Sequence, residues 1–567
     1  MSDIDLTIRG GLIVDGSGTE PFRADIGIRH GLIAAIEDDL PPAAQDIDAS
    51  GLIVTPGFVD LHTHYDGQVT WEERLTPSCY HGVTTAVIGN CGVGFAPCLP
   101  ERRDLLIRLM EGVEDIPYPV LAEGLPWSWT SFTDYLDVIA SRRYDMDVAA
   151  YVPHAALRVH VMGERGAARE AATAEDLTEM ARLLGEALDA GALGIATSRT
   201  FFHRSSDGQA IPTYGAADAE LLALARVLRE KGKGVFQIVE DVHLPDRSIA
   251  ALAAIAREAQ RPLTFSMGCS NSGPYAWPGL LEQLSTANAD GVTVKAQLMP
   301  RAIGMLLGFE LTLNPFYTTA TYRQLSALPL AERLTKLRDP AIRAAILAEP
   351  VDPDPALVLG RMVRQFETMF VLGERPDYEQ PPERSIAGMA ASRGISPEAL
   401  AYDLMTEGES GGKLYLAMAN FADGKLDAVG AMLDHPDVVL GLGDGGAHVG
   451  TICDASYSTF ALTHWVRDRP QGRKPLADIV RRMTSATASI AGFEDRGVLK
   501  PGLRADINLI DLDALALREP ELRYDLPGGG RRLIQRADGY RATIVRGEVV
   551  SRDGEPTGAR PGRLIRA

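Results

Sequence analysis

Between residues 57 and 490, short apolar segments alternate with stretches of helical spacing, and this alternation limits the fold more than any other property of the chain. The apolar segments are Val59–His62, Thr84–Ile88, Val148–Val152, Leu193–Thr197, Val235–Val239, Leu263–Met267, Val292–Leu298 and Val438–Gly441. Ala174–Ala190 and Ala217–Lys231 carry apolar residues at the intervals of helices packed outside a sheet. Strands that alternate with helices form parallel βα units. Eight such strands predict an α/β fold of the TIM barrel type, with its active site at the C-terminal strand ends.

From about 309 to 430 only helical and proline-rich segments are read, among them Glu349-Pro350-Val351-Asp352-Pro353-Asp354-Pro355. No ordinary βα loop is that long, so this stretch reads as an insertion before the last strand. Outside the barrel region the chain is β-rich. Asp5–Arg9 alternates, Gly10-Gly11 reads as a turn, and Leu12–Val14 returns; Ile26–Arg29 and Leu32–Ile36 flank a His30-Gly31 turn. Such hairpins need a partner to bury their apolar face. Asp506–Ile510 and Tyr540–Val550 are strands of the same character at the other end. The last residues, 553–567, are rich in Gly, Pro and Arg and read as a surface wrap or a frayed end.

A formal charge of -20 and a pI near 5.1 argue against a nucleic-acid or anionic-membrane surface. The start, MSDIDLTIRGG, has no signal-peptide pattern, and no apolar run reaches the length of a membrane span. Five scattered cysteines, Cys79, Cys91, Cys98, Cys269 and Cys453, are not a disulfide framework and suit a reducing cytoplasm.

The chemistry begins at Gly57-Phe58-Val59-Asp60-Leu61-His62-Thr63-His64. Residues two apart on a strand face the same way, so His62 and His64 offer two imidazoles to one point, as a metal needs. Taken alone, an H-x-H is more often a pair of ordinary polar residues at a strand end. Its surroundings change that. The run from Gly57 to Cys98 (GFVDLHTHYDGQVTWEERLTPSCYHGVTTAVIGNCGVGFAPC) resembles the opening of the amidohydrolase superfamily, within it the D-aminoacylase (N-acyl-D-amino-acid deacylase) branch. The likeness resumes at Gly441-Leu442-Gly443-Asp444-Gly445-Gly446 and covers nearly the whole chain, weakly in its middle.

The resemblance implies a barrel, with both termini joined in a small β-sandwich: residues 1–56 and 491–567 around a barrel at 57–490. It implies H-x-H metal ligands at His62 and His64, a metal-binding cysteine at Cys91 and a catalytic aspartate at Asp444. By composition alone, Cys91 equally reads as a buried inert thiol and Asp444 as part of an Asp-Gly turn. The branch also carries a histidine on each of strands five and six. Here the matching segments, Gly234–Glu240 and Thr264–Gly268, contain none, and Gly194–Ser198 on strand four has no lysine. The expectation is therefore one zinc ion, held by His62, His64, Cys91 and Asp444, with a second site left incomplete unless His243 or Glu240 restores it.

His154, His203 and His448 follow strands three, four and eight, and each reads equally as a substrate-binding group or a polar loop histidine. Arg199, Arg158 and Arg301 lie near strand ends, and Arg199 is favoured as the fork for a substrate carboxylate. The expected activity is metal-dependent hydrolysis of a C–N amide bond in an N-acyl-amino acid, D-configured as in the relatives, or in a related acyl amide. Asp444 is the expected general base and acid. Cyclic-amide hydrolysis, deamination or a binding protein without catalysis are the alternatives. A small-molecule partner, no nucleic acid, no membrane and a cytoplasmic location are expected; a homo-oligomer is left open.

Overall fold

The computed structural model describes residues 4–242, 247–350 and 361–567. All eight expected barrel strands are present: β1 (Phe58–Asp60), β2 (Val83–Ile88), β3 (Asp147–Pro153), β4 (Gly194–Arg199), β5 (Val235–Glu240), β6 (Leu263–Met267), β7 (Val294–Leu298) and β8 (Val438–Leu440). They pair in parallel and in chain order. A parallel bridge between Thr63 and Gly445, just beyond β1 and β8, closes the ring. β2 and β3 are buried at every residue, as strands covered on both faces must be. The helices Ala174–Asp189 and Asp218–Lys231 pack outside, the first opened by a Thr173/Asp176 capping box.

Both termini build a second, nine-stranded sheet. Ile53–Pro56 pairs antiparallel with Ile507–Ile510 and so ties one end of the chain to the other. Ile8, Ile26, Val54, Ile507 and Ile544 fill a core of its own. The His30-Gly31 turn forms as expected, both residues having the positive φ that a tight two-residue hairpin requires. Gly10-Gly11 is not a turn. Leu6–Ile13 is one continuous strand with a register shift between Ile8 and Gly11, and Gly10 at φ +66° absorbs it as a bulge.

The long insertion needs a correction too. It is not only helical: Ile303–Leu307, Met369–Phe370 and Leu414–Ala419 form a three-stranded antiparallel sheet. Leu414–Ala419 was not read as a strand, because its partners are Ile303–Leu307, more than a hundred residues earlier, and the two-residue Met369–Phe370. Helices pack on this sheet around Phe309, Phe316, Leu334, Tyr402 and Leu416. Residues 351–355 of the proline-rich stretch lie outside the described residues. The C-terminal tail wraps the barrel, where Ile565 N donates to Val148 O at 2.7 Å. Among the described residues, no helix is long and apolar enough to cross a membrane.

Candidate metal and catalytic centre

His62 and His64 sit just past β1, where the barrel closes. Asp444 N donates to His62 O at 3.1 Å and His64 N to Gly445 O at 2.7 Å, so this register brings the first and last strands to one point. The two rings stand edge to face, 5.4 Å between centroids. Each turns Nε2 inward and has a second residue on Nδ1. Gln297 Oε1 on β7 lies 2.9 Å from His62 Nδ1, and Glu114 Oε1 lies 3.3 Å from His64 Nδ1.

Cys91 completes the cluster from the turn after β2. Its Sγ is 3.3 Å from His62 Nε2 and 3.8 Å from His64 Nε2. Donor atoms of His62, His64 and Cys91 all lie within 4.8 Å of one another, and all three residues are buried. The turn explains the Gly-Asn-Cys-Gly pattern. A Cβ on Gly89 would meet Tyr151 O at 2.3 Å, and Gly89 takes φ +84°. The Asn90 amide donates to Val87 O and Thr63 O, pinning the turn to the end of β1. Cys91 itself is held at φ +55°, a costly conformation for a non-glycine residue that recurs at functional sites.

Asp444, at φ +46°, brings Oδ1 to 3.5 Å from His62 Nε2 and 3.6 Å from His64 Nε2. Burial alone would push its carboxyl up, but the hydrogen bond with His64 and the charges of His62, His64 and His448 hold it below the usual carboxylate range. It is the ionised member of the cluster. Burial pushes the Cys91 thiol well above its ordinary value, and the Glu114, Asp444 and Asp66 carboxyls push it further. A cation at this point is what would turn that thiol into a thiolate. Two imidazoles, a thiol and a carboxylate converging in a buried pocket are the donors zinc takes, so the residues fit that metal.

The donors open into a cavity of about 160 Å³, lined also by His203, His448, Glu114, Asp454, Met299 and Leu442. His203 and His448 thus line the same cavity as His62, His64, Cys91 and Asp444. Burial, with His448 and His64 nearby, pushes His203 down to about 3; Ser198 Oγ is 2.9 Å from its Nδ1.

His154 and Arg199 do not line this cavity. His154 is fully buried, with Nδ1 2.8 Å from Thr197 Oγ1 and Nε2 2.8 Å from Glu220 Oε1, so neither nitrogen is available. Arg199 donates to Glu240 and Asp218, both at 2.6 Å. That pairing also occupies Glu240, which Arg247 approaches as well. Arg158 is bound by Glu220, and Arg301 by Asp454 at 2.6 Å. His243 lies outside the described residues. On β5, Gln237 stands at the centre, its Oε1 accepting from Cys91 N at 3.2 Å; on β6, Thr264 bonds the Gln297 amide.

Glu114, Gln297 and Asp454 are the site residues that sequence reasoning missed. Glu114 lies in an acidic stretch, Glu111-Gly112-Val113-Glu114-Asp115, with no motif that marks it. The signal that exposes it is tertiary: a carboxylate buried beside two histidines.

Residues 45–551 match the amidohydrolase family. The chain belongs to that family. The amidohydrolase is similar to D-aminoacylase of Alcaligenes xylosoxydans xylosoxydans, 29% identical over 99% of this chain and 97% of the relative. It is 27% identical to N-acyl-D-glutamate deacylase of the same organism, over 99% of this chain and 96% of that one. Among solved structures, N-acyl-D-glutamate deacylase from Bordetella bronchiseptica, complexed with zinc and a phosphonate inhibitor, superposes with a TM-score of 0.65 at 26% identity, covering 100% of both chains.

Proposed function

We propose that this amidohydrolase cleaves the C–N amide bond of an N-acyl-amino acid, D-configured like the substrates its relatives are named for, or of a related acyl amide. The observation that carries the reading is the meeting of His62, His64, Cys91 and Asp444 at the C-terminal mouth of the barrel. One zinc held by these four residues would supply Lewis acidity, polarising the amide carbonyl and acidifying water. What supports a single ion is the chemistry on β5 and β6, where the residues that line the cavity are Val239 and Ser266 and neither strand offers an imidazole.

Asp444 takes the proton of the attacking water on a carboxylate oxygen. Water oxygen bonds to the carbonyl carbon, the C–N bond breaks, and Asp444 returns the proton to the departing nitrogen, leaving a carboxylic acid and an amine. His203 and His448 face the same small cavity and serve to hold polar groups of the substrate. Its Met299 and Leu442 walls exclude water and leave room for an apolar acyl group.

Elemental analysis of the purified protein, paired with a screen of N-acyl-D- and N-acyl-L-amino acids for released amine, tests this. About one zinc per chain is expected, dropping sharply in Cys91→Ala, the fate of a site that loses a ligand. About two would place a further ligand in the centre, with His243 the first to mutate. No metal after growth with zinc would reject the hydrolase and favour a binding protein on the same scaffold.

A further inference from the structure

Glu114 lines the cavity, and the hydrolytic chemistry gives it no part. It ends the helix Arg103–Glu114 in the long connection between β2 and β3, and its side chain is 1% exposed. Its carboxylate stands between two histidines drawn from opposite ends of the chain. Oε1 is 3.3 Å from His64 Nδ1, and Oε2 is 3.5 Å from His448 Nε2. Neither His64 Nδ1 nor Glu114 Oε1 makes a hydrogen bond, to the other or elsewhere, and buried polar atoms left so are rare. The backbone repeats the tie. His448 N donates to Glu114 O, and the next residue, Asp115, accepts from Gly450 N at 3.2 Å and Thr451 Oγ1 at 3.0 Å. The helix end is thereby latched to the segment that carries Asp444.

We propose that Glu114 is a positioning residue of the metal centre, resting on the reading of His62, His64, Cys91 and Asp444 as that centre. Its carboxyl oxygen accepts a hydrogen bond from His64 Nδ1–H when the metal is held, which leaves the Nε2 lone pair facing Cys91 and Asp444. Through His448 and Asp115 it also sets the spacing between His64 and the Asp444 segment. The two ligand histidines are therefore held unequally. His62 faces the neutral amide of Gln297 at 2.9 Å, whereas His64 faces the Glu114 carboxyl at 3.3 Å. Asp115 keeps the helix end in place when the Glu114 side chain is altered.

The test compares the wild type with Glu114→Gln and Glu114→Ala by zinc affinity against a competing chelator and by the visible spectrum of the cobalt(II)-loaded proteins. Affinity is expected to fall about 10–100-fold in Glu114→Ala, the usual loss when the partner of a ligand is removed, and less in Glu114→Gln, which keeps an acceptor for His64. The cobalt bands should shift in the alanine variant and return towards wild type with glutamine, which a merely structural residue would not produce. Should the alanine variant not fold, the glutamine variant carries the comparison. Wild-type affinity and spectrum in a folded variant would overturn the role of Glu114 alone. A wild type that takes up neither zinc nor cobalt would overturn the metal centre, and this role with it.

Discussion

Gln297 Oε1 on β7 lies 2.9 Å from His62 Nδ1, while the Gln297 amide nitrogen donates to Thr264 Oγ1 on β6 at 3.0 Å. With the amide nitrogen on Thr264, the amide oxygen faces His62. In that orientation Gln297 Oε1 accepts a hydrogen bond from His62 Nδ1–H, and the His62 lone pair is left on Nε2, facing Cys91 and Asp444. A chain of three side chains from three strands thus selects one tautomer of one ligand.

Removing that acceptor should loosen the ligand without unfolding the barrel. Gln297→Leu, similar in volume, is expected to lower zinc affinity by roughly 10–100-fold. Competition with a zinc indicator measures it; an affinity equal to wild type would mean that the tautomer is set by something other than Gln297.

Asp444→Asn should separate catalysis from folding. Asn tolerates the left-handed conformation that Asp444 adopts at φ +46°, so the backbone has no reason to move. An amide cannot shuttle the proton, and kcat is expected to drop by about 10²–10⁴-fold. The thermal midpoint should stay near that of wild type. A variant that retains kcat would take the proton transfer away from this residue.

His81 predicts a pH dependence of stability at a distance from the metal. Its ring bridges Thr459 Oγ1 at 2.9 Å and Gln535 O at 2.8 Å inside the protein, and burial pushes it down to about 4. The unfolded chain binds this proton from about pH 6.5 downward, the folded one only near 4. Stability is therefore fully present above pH 6.5 and is lost as the pH falls from 6.5 to 4, by on the order of 3 kcal/mol for this one group. Urea unfolding of wild type and His81→Gln at pH 7 and pH 4.5 checks the sign. The variant should be less stable at pH 7 but show a shallower decline; equal declines would refute the assignment.

What could be read along the chain was whatever repeats locally. Eight apolar segments with helices between them specify a barrel because a parallel strand must be followed by a crossover, and each pattern fits inside a dozen residues. The pairing of His62 with His64 follows from the two-residue period of extended chain; Cys91 was read from the family resemblance, and only the structure shows Gly89 crowded by β3 and Gly92 by β4. His154 and Arg199 were read from their position at strand ends. Position could not reveal that Glu220 and Glu240, brought up by the neighbouring helix and strand, already occupy them. The three-stranded sheet of the insertion escaped for the same reason, since a strand without its partner looks like any apolar run.

Local sequence thus determines which elements form and which side chains leave them on a common face, because those depend on φ, ψ and side-chain period alone. The closing register of Thr63 on Gly445, the burial of Glu114 between His64 and His448, and the commitment of Gln237 and Gln297 to hydrogen bonds arise only when distant elements pack. A polar group acquires its role from the partner opposite it, and that partner is chosen by tertiary contact.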